Sequence, residues 1–340
     1  MKTLTLLSIA AFACIQLNAQ TPDSSQFYFK KGTDEASAKR YLIAGKYFDM
    51  AINFNSKFTE AYIENGKANL EMRKVDAALV NFTKANQLQP SNPVAIKELS
   101  LLYFNNRQFA KAIDMAQQCK DCAASDRIIA MSYYQTEDYG KAVPGLQKAL
   151  AKNPADAEVS YTLARTYLEL EEEKNAIPYY QKAVQLDSTK NVWMYELALM
   201  YYNMDQYADA VKYFAKASNA GYPKSNDFYE NCGFAYLYSR DIENGMTNLS
   251  IVLSRKPNNS TLLTDIAQAM YQAKRYDDAL VYYQKLIELN AKDSKALYMA
   301  GITFQKKGEK EKGQALCDQA IAMDPSLAEK RQKKGEQFGL

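Results

Sequence analysis

Residues 59–90, TEAYIENGKANLEMRKVDAALVNFTKANQLQP, decide the fold. Tyr62, Asn65, Gly66 and Asn69 recur at i, i+3, i+4 and i+7, the spacing of one face of a helix. Ala78, Phe82 and Ala85 repeat that spacing, and Pro90 stops the second helix two residues past Leu88. Tyr62 and Phe82 are the bulky members; Gly66, Ala78 and Ala85 are small enough to let two helices approach closely. Arg73-Lys74 is the polar turn between them. The stretch predicts a helical hairpin with one apolar inner side, a unit too small to stand without neighbours of its own kind.

Copies follow at a spacing of 34 residues almost throughout, beginning near Ser25, Thr59, Pro93, Ala123, Ala157, Asn191, Asn226, Ser260 and Ser294. The small residue opening each second helix is Ala44, Ala78, Ala112, Ala142, Ala176, Ala210, Gly245, Ala279 and Gly313. Phe48, Phe82, Ala116, Leu146, Tyr180, Phe214, Leu249, Tyr283 and Cys317 come one turn later. The third copy is four residues short, and the first has an unusual first helix. Pro144 and Pro178 are read as first-turn prolines, where an amide has no helical partner to lose.

The register resembles that of the tetratricopeptide repeat family over about nine repeats, residues 25–327. The resemblance implies an all-α, right-handed solenoid of helix-turn-helix repeats whose first helices line a concave, peptide-gripping face. The domain order expected is a signal peptide at 1–19, a worn N-terminal repeat or cap at 20–58, repeats two and three at 59–122, repeats four to nine at 123–327, and a polar C-terminal helix or tail at 328–340.

Residues 1–19, MKTLTLLSIAAFACIQLNA, have a positive start, an apolar run of about twelve residues and a small-residue cut after Ala19. They predict export, with the periplasm of a Gram-negative bacterium as the expected compartment and secretion beyond it also open. A rival reading makes Cys14 the lipidated residue of an outer-membrane lipoprotein assembly factor, although Phe12 suits a lipobox poorly. Contact with a membrane is then expected only through a partner or that lipid anchor.

Charged residues make up 24% of the chain and the net charge is +3, so no strongly basic face for nucleic acid is expected. The chain has no histidine, which rules out Ser-His-Asp and Cys-His arrangements. No phosphate-binding glycine loop or dinucleotide fingerprint is present. The expectation is a non-enzyme without metal or cofactor. Cys119 and Cys122 form a C-x-x-C pair at the shortened repeat. Both a local disulfide and two packed thiols remain open there, since Cys119 stands where other repeats have a small core residue. Cys232 and Cys317 read as packing residues.

Helical angle separates binding residues from core. At about 100° per residue, positions matching Ile63, Lys67 and Leu70 lie outside the core stripe. By the family resemblance that stripe faces the partner. It carries Tyr134, Tyr161, Tyr195, Leu199, Phe234 and Tyr298, with Lys97, Arg127 and Arg165 in three consecutive repeats. Tyr134 is close enough to the core to be structural instead. The three cations suggest an acidic or carboxylate-bearing segment as ligand. The family's carboxylate clamp is absent, because Leu101 and Met131 stand where its asparagines would be. The expected partner is a protein or peptide, and the tyrosines leave carbohydrate open as an alternative.

Overall fold

A computed structural model describes residues 23–119 and 123–328. Its described residues are helical with no strand, and contain eighteen helices of eight residues or more. The chain divides after Pro154 into two compact units.

The first unit holds four hairpins: α1 (Ser24–Ser37) with α2 (Tyr41–Phe54), α3 (Thr59–Glu71) with α4 (Val75–Leu88), α5 (Pro93–Asn105) with α6 (Phe109–Ala116), and α7 (Ala123–Gln135) with α8 (Tyr139–Lys152). The second holds five: α9 (Ala157–Glu169) with α10 (Glu173–Leu186), α11 (Asn191–Asn203) with α12 (Tyr207–Asn219), α13 (Asn226–Tyr238) with α14 (Ile242–Arg255), α15 (Ser260–Gln272) with α16 (Tyr276–Leu289), and α17 (Ser294–Lys307) with α18 (Lys310–Met323). Within each unit every hairpin packs on the next, so each unit is a solenoidal stack of helix-turn-helix repeats.

Size complementarity holds the hairpins together, except the third, where Ser100 meets Ala116. The small residue in the middle of each first helix is Gly32, Gly66, Ser100, Ala130, Ala164, Ala198, Gly233, Ala267 or Gly301, and all are buried. Opposite them stand the residues of the Phe82 series. A methyl group on Gly66 would lie 2.7 Å from the Phe82 ring, and one on Gly32 2.5 Å from Phe48. At these two hairpins the close approach of the ring requires glycine, whereas the sixth hairpin seats Phe214 opposite Ala198.

One turn conformation recurs between first and second helices. Lys39, Arg73, Arg107, Glu137, Glu171, Asp205, Arg240 and Lys274 all have φ between 57° and 70°, and Gly308 has φ 103°. In the second repeat the Arg73 amide donates to Leu70 O at 2.8 Å and the Lys74 amide to Asn69 O at 2.8 Å, closing the end of α3.

Three sequence readings change. Pro144 and Pro178 are each the sixth residue of their helix, beyond the first turn. Each removes the bond its amide would make to the carbonyl of Gly140 or Lys174, yet both helices continue. The third second helix ends at Ala116, so Cys119 lies past its end rather than on its core face. Cys119 is disulfide-bonded; Cys122 lies outside the described residues, as do residues 1–22 with Cys14, and 329–340. No described helix is long and apolar enough to cross a membrane.

Candidate protein-binding site

In the second unit, Arg165 on α9 and Glu196 on α11 join neighbouring repeats. Arg165 donates to Glu196 Oε1 at 3.3 Å, to Glu169 Oε1 at 3.4 Å and to the Tyr161 hydroxyl at 3.4 Å. Tyr180, rising from α10, donates its hydroxyl to Glu196 Oε2 at 3.0 Å. Burial, reinforced by the negative charge of Glu196, pushes the Tyr161 hydroxyl up to about 12 and raises Tyr180 further. Both tyrosines are therefore neutral donors throughout the physiological range.

The tyrosine rings serve the stack as well. Tyr161 lies parallel to Trp193 of the next repeat, 4.5 Å between centroids, and edge-on to Tyr180 at 5.6 Å. One repeat on, Tyr195 stacks on Tyr222 at 4.2 Å and accepts a hydrogen bond from Asn231 Nδ2 at 3.0 Å. Tyr161, Tyr195 and Tyr222 remain half-buried, with their faces turned to other rings, while Trp193 and Tyr180 are buried.

Between α9, α10 and α11 lies a cleft of about 610 Å³. Leu168, Leu199, Met200 and Met204 supply its apolar lining, and Arg165, Glu169, Glu173, Lys174 and Glu196 its charges. Three carboxylates face two cations, and Arg165 is already engaged by Glu169 and Glu196.

The expected stripe is thus divided. Tyr161, Arg165, Tyr195 and Leu199 fall on the first-helix side of the second unit, and Arg165 and Leu199 line the cleft. Phe234 and Tyr298 do not belong to a surface: each is only 8% exposed. Phe234 is packed in the core around Leu237, Leu249 and Leu262, while Tyr298 lies against Cys317, whose Sγ donates to the Tyr298 carbonyl at 3.7 Å. An angle measured on a lone helix ignores what packs on it: the next hairpin covers Phe234 through Leu262, and α18 with Leu327 covers Tyr298. In the first unit Lys97 is exposed and 3.7 Å from Glu98, Arg127 is half-buried, and Tyr134 packs toward Tyr139 at 6.1 Å. A basic stripe for an acidic ligand is not supported at Arg165, whose charge is met within the fold.

Glu196, Trp193 and Tyr222 escaped the sequence reading. Arg165 and Glu196 are 31 residues apart, three short of a full repeat. Pairing each first-helix residue with the residue one repeat less one turn ahead would have found them. Among the described residues no group of three or more histidine, cysteine or carboxylate side chains could hold a metal ion.

Tetratricopeptide repeat family profiles match residues 129–191, 193–218, 263–292 and 294–327. The chain is a tetratricopeptide-repeat protein. The first three hairpins precede these matches but keep the same helix register, with Gly32 against Phe48 and Gly66 against Phe82, and two small residues, Ser100 and Ala116, in the third. Such repeats build protein-interaction scaffolds. This tetratricopeptide-repeat chain is 27% identical over 138 residues to Anaphase-promoting complex subunit 6 of Arabidopsis thaliana, covering 39% of this chain and 25% of that protein. It therefore spans about a quarter of that relative's length. Among solved structures it is similar to the C-terminal part of a TPR repeat-containing protein from Cytophaga hutchinsonii, with 22% identity, TM-score 0.45, and 67% and 95% of the two chains covered. It is also similar to YrrB, described as a TPR protein with an unusual peptide-binding site, with 21% identity, TM-score 0.34, and 64% and 95% covered.

Proposed function

We propose that this protein is an exported, non-catalytic scaffold of the bacterial cell envelope that holds a segment of a partner protein on the first-helix face of its second unit. The observation that carries the reading is the cleft between α9, α10 and α11, where Leu199 and Met204 lie beside the charges of Glu169, Glu173 and Lys174. An extended segment placing one apolar side chain against Leu199 and donating hydrogen bonds to Glu169 and Glu173 fits this lining. The tyrosines next to the cleft hold its walls through their mutual stacking, so the partner meets a preformed surface.

Export rests on residues 1–19. Mass spectrometry of the mature N-terminus separates the two readings: a chain beginning at Gln20 supports a soluble envelope protein, and an acylated Cys14 supports an outer-membrane lipoprotein. An unprocessed Met1 overturns both. Capture from envelope extracts, comparing wild type with Leu199→Glu and Asn203→Arg, tests the cleft. Loss of a captured protein from both variants, at unchanged helix content, is the expected result. Equal capture by all three contradicts it.

A further inference from the structure

The first repeat departs from the other eight on its outer side. Leu42, Ile43, Met50 and Phe54 of α2 are all exposed, Leu42 at 58% and Phe54 at 62%. At the position of Leu42 the other repeats carry Asp, Glu, Lys, Ala or Gly. At Ile43 they carry Lys, Asp, Asn or Ala, and at Met50 Lys or Gln in every repeat but one, Ile251. Phe54 differs, since its position is also apolar at Leu88, Leu186, Leu289 and Met323, and one face of its ring stacks on Tyr28 at 5.5 Å. The apolar run of Leu42, Ile43 and Met50 that leads to it is confined to one repeat in nine; it is not a requirement of the repeat itself, and its exposure needs a partner.

The end of the array is not what this stripe serves. Where later repeats bury residues against the hairpin before them, the first repeat places Lys31 and Asp34, both exposed. Lys31 Nζ sits 4.6 Å above the Phe27 ring, which shields that ring from one side. The end is closed by charge, while the flank of α2 is left open.

The flank complements itself. Leu42, Lys46, Met50 and Phe54 follow at four-residue intervals, one row along the helix. Turned end for end about its middle at residue 48, the row places Leu42 opposite Phe54 and Lys46 opposite Met50. The same rotation sets Lys46 beside Asp49, which is also exposed; its Oδ1 accepts from Asn65 Nδ2 at 2.6 Å, which leaves Oδ2 for the other copy's lysine. A two-fold contact requires this property: one patch that is its own counterpart in both shape and charge.

We propose that α2 is the contact through which two copies of this chain associate, antiparallel, with the Leu42–Phe54 rows interleaved and Lys46 of each copy paired with Asp49 of the other. The contact uses none of the residues that line the cleft in the second unit.

Sedimentation equilibrium of the purified full chain from about 1 to 100 μM, a range that brackets weak self-association, tests this. Wild type is expected to pass from monomer to dimer. Leu42→Glu with Met50→Glu should weaken the dimer at least tenfold while helix content and thermal midpoint stay unchanged. Lys46→Asp alone should weaken it, and Lys46→Asp with Asp49→Lys should restore the dimer at a lower thermal midpoint, since Asp49→Lys also breaks the bond to Asn65; a dimer regained at reduced stability is a rescue that loss of folding cannot imitate. A wild-type chain monomeric across the range, or a dimer indifferent to both sets of charges, would overturn the proposal.

Discussion

At the scale of single residues, the contact between Gly66 and Phe82 decides whether the second hairpin closes. A Cβ at residue 66 would come within 2.7 to 3.0 Å of three atoms of the Phe82 ring. The ring is fully buried and cannot swing into solvent. Gly66→Ala should therefore cost about 1–3 kcal/mol by overpacking, despite the higher helix propensity of alanine. Gly66→Ala with Phe82→Leu should recover part of that loss, because the fourth hairpin already pairs Ala130 with Leu146. Urea denaturation of the two single variants and the double variant measures the coupling; strict additivity would show that the two side chains do not compete for one space. The large member of each pair was legible in the sequence as the periodic Phe82 series, and Gly66 as a small residue, but the pairing of the two across the hairpin was not. The turn residues were not. Eight of the nine positive-φ positions between the first and second helices of the hairpins hold charged residues rather than the glycine or asparagine that normally marks such a turn. Being exposed, each charged side chain stays in water while the two closing backbone bonds offset a conformational cost of about 1–2 kcal/mol.

At the scale of elements, α7 is tied to α8 by one carboxylate. Asp126 receives Lys148 at 2.8 Å and Lys152 at 2.6 Å. Burial by itself disfavours the Asp126 charge, but the hydrogen bonds from the two lysines outweigh it, and the net effect lowers its pKa below the usual aspartate value. The lowered value sets the sign of the pH dependence. The pair's contribution is present above the unfolded pKa near 3.8 and is lost as pH falls through the lower folded value. Asp126→Asn should cost about 1 kcal/mol near neutral pH, a modest figure because both lysines remain in contact with water. That difference should shrink below about pH 4 and in high salt. Thermal unfolding at pH 7 and pH 3 checks it, and a gap that widens in acid would reverse the assigned direction. Element positions followed readily from the 34-residue register. The orientation of the binding stripe did not, since the side of a first helix that looks free in isolation is covered by the next hairpin at Phe234 and by α18 with Leu327 at Tyr298. Phe234 and Tyr298 were lost from the candidate site for that reason, and Glu196 was gained because its partner lies on another repeat.

For the whole molecule, the division after Pro154 and the single tryptophan make the two units separable in an experiment. Trp193 stacks on Tyr161 inside the second unit, so its fluorescence reports that unit alone, whereas far-ultraviolet circular dichroism reports all eighteen described helices. Stability in a repeat array is a sum of local terms with nearest-neighbour coupling. Gly66→Ala should therefore shift the dichroism transition while leaving the tryptophan transition where it was. Parallel shifts of both would mean that the chain unfolds as one cooperative body. The function assigned to the chain depends on a partner polypeptide lying between α9, α10 and α11. Site-specific photo-crosslinking in living cells addresses this most directly, with the reactive residue at Leu199 or Asn203 in the cleft and at Val281 on an exposed outer position as control. The account predicts one discrete crosslinked polypeptide from Leu199 and Asn203 and none from Val281; no polypeptide adduct in the cleft, or the same adduct from all three positions, would contradict it.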